Sequence, residues 1–358
     1  MFKYFQGLAK PAAVGVVLLS IGALAACNGD SSSSGRDDDG GEVKLPAVPR
    51  AERIAELTAL EKRPTVLADD IAPAFASLGF SFGGVGAYAG GGFRSAVAEH
   101  AAMLLLEEKL GDAWEIPRTG SYQPAVEPEA CPAGDGQMWF SEGEGIYLLE
   151  FEGCVLHEEY DQQVMVDGFV DLRLLESDYD RAGRYTVDVT YTQRLLNEPD
   201  SPAAYERYAG AFDRFSSDGV DAVRNASVLI EENVPSSAEE GRLIVELAFQ
   251  DFDYVEQGDA FTVNGRLGAR LSQPILPIGS AVSMESVPAL YRCTDAEVLG
   301  HFSCGGGMRI RGAEDTALLL EYGSDGQSVT VHYERTGYVL PAMDLRAFED
   351  WILDAQEP

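Results

Sequence analysis

Ser81 has the setting that comes nearest to a catalytic motif. Gly79-Phe80-Ser81-Phe82-Gly83 fits GxSxG, in which a serine is exposed on a sharp turn between a strand and a helix and is activated by a later histidine. His100, His157, His301 and His332 all follow it. The surroundings argue against the chemistry. Ile71–Leu78 reads as helix, and more glycines follow the serine where a helix is needed. The chain downstream has the period of antiparallel strands instead of alternating α and β units. Ser81 is therefore the candidate nucleophile of an alternative reading only.

The other chemistries have less support. Gly84-Val85-Gly86-Ala87-Tyr88-Ala89 approximates a dinucleotide fingerprint, but no strand leads into it; a mobile loop rich in glycine is the simpler expectation. Glu142, Glu144, Glu158 and Glu159 could pair for glycoside chemistry on spacing alone, as could dozens of other acids in this chain. Asp178-Tyr179-Asp180 before Gly183 reads as a polar turn before it reads as a calcium site. His157 beside Glu158-Glu159 reads as an acidic turn. No metal ligand set and no cofactor are expected.

Four cysteines, Cys131, Cys154, Cys293 and Cys304, make an even set of the kind that forms disulfides in an oxidising compartment. Three pairings are open. The near-neighbour set, Cys131 with Cys154 and Cys293 with Cys304, closes short loops and is the one expected. No CxxC pair exists and the histidines are scattered, which disfavours zinc and a redox pair.

Charge excludes one class of partner. The 358 residues carry 59 Asp and Glu against 26 Lys and Arg, a formal net charge of −33. A phosphate-binding surface needs clustered cations, so nucleic acid is ruled out as a partner. The five lysines all fall at or before Lys109. The acids read as a solvated, solubilising surface.

The start of the chain has the layout of an export signal. Lys3 and Lys10 give a positive start, and Ala12–Ala23 is apolar over a length suited to a signal core and too short for a stable membrane span. Leu24-Ala25-Ala26-Cys27 follows. This resembles the lipobox of bacterial lipoproteins, and the resemblance covers residues 1–27. It implies cleavage before Cys27, acylation of that cysteine and anchorage to a membrane. Each buried CH₂ contributes about 0.8 kcal/mol, so several acyl chains hold durably where one does not. Asn28 stands where the resemblance would place an inner-membrane Asp signal, which implies the outer membrane, facing the periplasm. Residues 27–50, with Ser31–Ser34, Asp37–Asp39 and Gly40-Gly41, read as a solvated tether.

The mature chain divides into a helical and glycine-rich part (51–125), a β-rich part (126–340) and a terminal helix (341–358). Ala51–Lys62 and Ser95–Leu110 have helical spacing, with Gly111 as a stop. From Gln137 the period is two. Val164, Val166, Val170 and Leu172 oppose Asp167, Asp171 and Arg173; Tyr185, Val187, Val189 and Tyr191 alternate with polar residues. Ala203–Ser216 fits helix or strand. Leu318–Tyr322 and Val329–Tyr333 flank a Gly-Ser-Asp-Gly turn. Leu149–Leu174 and Glu246–Leu271 read as copies of one strand-turn-strand unit with a central glycine, Gly168 or Gly265, that permits a bend or bulge. Ala342–Ala355 reads as an amphipathic helix on the sheet. The expected fold is mainly β (α+β): a curved antiparallel sheet or sandwich with helices at both ends.

The expected function is a non-enzymatic, lipid-anchored protein of the cell envelope that binds a ligand or serves a structural role. Its expected partners are the membrane, through lipid on Cys27, and an envelope protein or an apolar small molecule. Two alternatives stand beside it: a tethered serine hydrolase using Ser81, and a periplasmic carrier of an apolar ligand.

Overall fold

The computed structural model describes residues 51–59, 72–73, 76, 100–111, 114, 122–159, 162–196, 203–235, 242–271, 280–293 and 303–354. The expected export signal and tether with Cys27, the 79–93 stretch with Ser81, and His301 lie outside the described residues.

Among the described residues fifteen strands form one open antiparallel sheet. They are β1 (Glu129–Ala130), β2 (Gln137–Gly143), β3 (Ile146–Glu159), β4 (Gln162–Leu174), β5 (Arg181–Leu195), β6 (Ala204–Ser217), β7 (Val220–Pro235) and β8 (Arg242–Gln257). Then come β9 (Ala260–Leu271), β10 (Ser280–Ser286), β11 (Leu290–Tyr291), β12 (Gly307–Arg311), β13 (Ala317–Tyr322), β14 (Val329–Tyr333) and β15 (Tyr338–Val339). Sequence neighbours are sheet neighbours throughout, except that β11 pairs with β9 and lets β10 pair with β12. The single sheet, not a sandwich, is the architecture adopted. The ambiguous segment Ala203–Ser216 is strand: it forms β6, between β5 and β7, where its alternation buries Tyr208 and Phe212 on one face.

Alternation of side chains gives the sheet two unlike faces. On the inner face the register carries one apolar row across eight strands: Leu149, Val170, Val187, Gly210, Val228, Phe249, Leu267 and Val282. Every side chain in that row is at most 1% exposed. Each large one buried contributes about 1.5–3 kcal/mol, so this face supplies most of the driving force for folding. Helix α2 (Ala101–Leu110) covers it with Ala102, Met103, Leu106 and Leu110. Helix α3 (Leu345–Asp354) joins the same core through Phe348, with Leu345 and Trp351 packed beside it. It begins later than the expected residue 342, because Met343 exchanges both backbone hydrogen bonds with Val329, and Asp344 caps the helix by accepting from Ala347 N at 2.8 Å.

The outer face is more polar, and it offers an apolar seat to a helix. Helix α1 (Ala51–Leu57) places Ile54 and Leu57 against Leu229 and Ala248, which alternate with the inner-face Val228 and Phe249. Arg53 Nε and Nη2 donate to the two carboxylate oxygens of Glu246 at 2.9 and 2.5 Å, and Thr58 Oγ1 donates to Gln250. Glu246 and Gln250 flank Ala248 on the same side of β8. The first described helix is thus fixed on the face opposite to α2.

Bulges bend the sheet where the long strands cross its middle. In β3 the pairing slips between Phe151 and Cys154; Gly153 there has φ 54°, and its N–H donates to Asp167 Oδ1 on β4 at 2.7 Å. The same device recurs between β7 and β8: Asn225 has φ 55° and its N–H donates to Asp253 Oδ1 at 2.8 Å. Phe249 of β8 is followed two residues later by Asp251 at φ 50°, as Phe151 of β3 is by Gly153 at φ 54°. Gly265 lies opposite that slip, where a β-carbon would collide with the Phe252 backbone. The slip also lets Phe249 and Phe252, three apart, both face the core in edge-to-face contact at 5.2 Å.

Candidate functional site

The densest buried polar chemistry lies where α2 meets β5 and β6. His100 is the N-cap of α2 and makes no side-chain cap. Its imidazole stacks on Tyr208 with ring centroids 4.9 Å apart and meets Tyr191 edge-on at 5.9 Å. Tyr191 Oη lies 2.8 Å from His100 Nδ1 and accepts from Ala102 N at 2.8 Å. A phenol has one proton to give. With its oxygen already accepting the helix N–H, Tyr191 holds Nδ1 by one further hydrogen bond, and the other ring nitrogen is Nε2. That atom is buried without a hydrogen-bond partner among the described residues. On β6, Tyr208 Oη donates to Glu206.

These environments quieten the groups chemically. Burial lowers His100 to about 3, so it is neutral at any physiological pH. Burial pushes the Tyr191 phenol up, away from phenolate, and raises the Glu206 carboxyl, which the Tyr208 hydroxyl partly offsets. A general base works best with a pKa near the operating pH, and a nucleophile needs a lowered one. Neither is present here. What the cluster provides is mechanical, since a hydroxyl carried by the sheet caps a helix that lacks a cap of its own.

Two turns further along α2, Glu107 Oε1 accepts from Tyr185 Oη at 2.9 Å and from Arg214 Nη1 at 2.7 Å. Both charged side chains are only about one-sixth exposed (16% and 15%). Tyr185 is fully buried and stacks on Phe212 at 5.2 Å. Trp114 lies beneath the Arg181 guanidinium at 5.4 Å. The helix is therefore pinned to the inner face near both ends.

On the outer face, Asp171 of β4 is 2% exposed, with Arg173 Nε 3.5 Å from its Oδ2 and, among the described residues, no hydrogen-bond partner for Oδ1. Burial raises it to about 6, against the pull of Arg173. Elsewhere the face is crossed by ion pairs: Arg184 with Asp213 at 2.7 Å, Arg207 with Asp188 at 2.8 Å, and Arg309 with both Glu285 and Glu334 at 2.9 and 2.8 Å. These absorb part of the acid excess as cross-strand pairs.

The residues singled out in the sequence are dispersed. The near-neighbour disulfides are present: Cys131–Cys154 ties the loop before β2 to the β3 bulge, and Cys293–Cys304 closes the loop after β11. His332 lies 3.0 Å from Glu321 on the outer face, opposite to His100. His157 sits near the far end of β3, paired with Val164. Asp180 accepts from the Ser217 hydroxyl at 2.8 Å, as a polar turn residue does. Glu142 exchanges backbone bonds with Gln123, and Glu144 turns the β2–β3 hairpin at φ 54°. Among the described residues no group of three potential ligands could hold a metal, and no helix is long and apolar enough to cross a membrane. Nothing in the sequence singles out Tyr208, Glu206, Glu107 and Arg214, and Tyr191 stands out there only as an alternating residue of its strand. The one signal was a run of tyrosines on a strand face that had to be buried, since a buried hydroxyl needs a partner.

In comparisons with known proteins no family model matches this chain, and no curated protein and no solved structure matches it.

Proposed function

We propose that this is a lipid-anchored, non-enzymatic protein of the bacterial cell envelope, held on the membrane by acyl chains on Cys27, and that its sheet serves as a structural or protein-binding platform. The observation that carries the platform part is the closed central row of the inner face, on which the filled-face reading rests. A cavity for an acyl chain along that row would leave its lining accessible to water, whereas the row from Leu149 to Val282 is at most 1% exposed. Two disulfides agree with an oxidising compartment outside the cytoplasm. The neutral, enclosed His100 and the elevated Tyr191 speak against acid–base chemistry at the buried cluster. The lipid anchor and its outer-membrane address rest on the lipobox resemblance.

Expression of the full chain in a bacterial host with labelled palmitate tests the anchor. Label and membrane fractionation are expected in the natural chain and absent in Cys27→Ala. Native mass spectrometry of the same Cys27→Ala protein tests the platform. A bare polypeptide mass is expected; a co-purifying apolar molecule of defined mass would overturn the filled-face reading in favour of a carrier.

A further inference from the structure

We infer that His100 is an acid-sensitive latch, which holds α2 against the inner face of the sheet while its ring is neutral and frees the helix when the ring takes up a proton. This goes beyond the platform reading and does not depend on the lipid anchor.

The enclosure of the ring carries the argument. Tyr191 caps α2 by accepting from Ala102 N and holds Nδ1 as well, while Nε2 is buried with no hydrogen-bond partner among the described residues. Whichever nitrogen carries the proton of the neutral ring, the protonated ring has an N–H on both, and the one on Nε2 has no acceptor. The new cation would lie at the positive end of a ten-residue helix, where the macrodipole opposes it. It would also be enclosed between two aromatic rings, 8% exposed.

Among the described residues no neighbouring charge is placed to rescue it. From β5 it faces Tyr191, and from β6 Tyr208, whose hydroxyl donates to Glu206. Glu206 is engaged by Tyr208, and burial favours its neutral form, so falling pH removes that counter-charge as well. The register partners of Tyr191 further along the sheet are Val166 and then the disulfide-bonded Cys154, neither of which titrates; His157 lies in the next row of β3. On α2 itself, Glu107, Glu108 and Lys109 are about two turns away, and Glu107 is occupied by Tyr185 and Arg214. Acid is therefore expected to open the N-terminal end of α2 first.

Hydrogen exchange read by mass spectrometry on the full chain in detergent, with rates corrected for intrinsic pH dependence, tests the latch. Once the ring is open to water it regains an ordinary pKa near 6.5, so opening is expected to become about a hundredfold more frequent at pH 4.5 than at neutral pH. The loss should appear in residues 101–110 while 345–354 keep their protection. His100→Phe keeps a ring between the tyrosines but takes no proton, and should make α2 protection independent of pH; His100→Asn, neutral and a natural N-cap, gives a second test where Phe disturbs the packing. Tyr191→Phe should loosen α2 at both pH values. Unchanged α2 protection in the natural chain at pH 4.5 would overturn the inference. So would an acid-induced loss that persists in the His100 variants, since it would then belong to Glu206 or Glu107.

Discussion

The carbonyl of Leu57 lies directly over Gly268, so that a β-carbon at position 268 would collide with its oxygen. The last turn of α1 thus rests on bare backbone of β9. Gly268→Ala is expected to lift α1 off its seat between β7 and β9, weakening the burial of Ile54 and Leu57 and the bidentate Arg53–Glu246 pair together. The expected loss is about 1–3 kcal/mol, with faster proteolysis around residue 58 at neutral pH. An unchanged denaturation midpoint and cleavage pattern would mean that α1 is not seated there in solution.

Arg214 is the only group neutralising the enclosed Glu107 among the contacts described, so its loss leaves a buried carboxylate supported by one phenol. Arg214→Met should cost about 3 kcal/mol in urea unfolding. Pairing it with Glu107→Leu should recover part of that loss, because the carboxylate at 107 is gone, while Asp221, 3.8 Å from Arg214 Nε, still loses that contact. Additive losses in the double variant would show that the two side chains act separately.

Asp171 predicts a pH dependence opposite in sign to that of His100. Its folded value of about 6 lies above the ordinary carboxylate value near 3.8. The unfolded chain therefore ionises first as pH rises, so stability falls between about pH 4 and 6 and stays level above that. Asp171→Asn should remove this slope and make the protein about 2 kcal/mol more stable at pH 8. Equal stability of the two proteins at pH 8 would show that Asp171 is better solvated than its burial implies.

The disulfides close loops of 23 and 11 residues in sequence separation. Cys131→Ser with Cys154→Ser should cost about 3 kcal/mol, and the shorter Cys293–Cys304 bridge somewhat less. Thermal melts with and without reductant check both. The larger effect is expected for Cys131–Cys154, because it clamps the loop whose Ala133 N and Asp135 carbonyl complete the pairing of Val155 beside the β3 bulge.

Much of the sheet was legible because period-two alternation needs no partner to be recognised. Tyr185, Val187, Val189 and Tyr191 point one way whatever lies beneath them. The bulges were half legible. Gly168 and Gly265, at φ 112° and 149°, marked unusual backbone correctly, but the bulges also use Gly153, Asn225 and Asp251, two of which are not glycine. Which face each helix would choose was not legible at all. Ile54 and Leu57 resemble Met103 and Leu106 in character, and only the small residues Ala248 and Gly268 on the far face of distant strands decide that α1 docks outside and α2 inside. The clamp around His100 was hidden for the same reason: His100 and Tyr191 are 91 residues apart, and neither belongs to a motif.

The order of the strands also bears on how the chain assembles. Apart from the β9–β10–β11–β12 detour, each strand adds to the edge left by the one before it. A chain delivered N-terminus first can therefore zip up hairpin by hairpin, with no early strand waiting for a distant mate. The exceptions are α1 and α2, which arrive first yet bind surfaces made of β3 to β9. During that interval their apolar sides have nothing of their own to cover. A chaperone that shields short helices at the front of the chain would act while both flanks of the unfinished sheet await them.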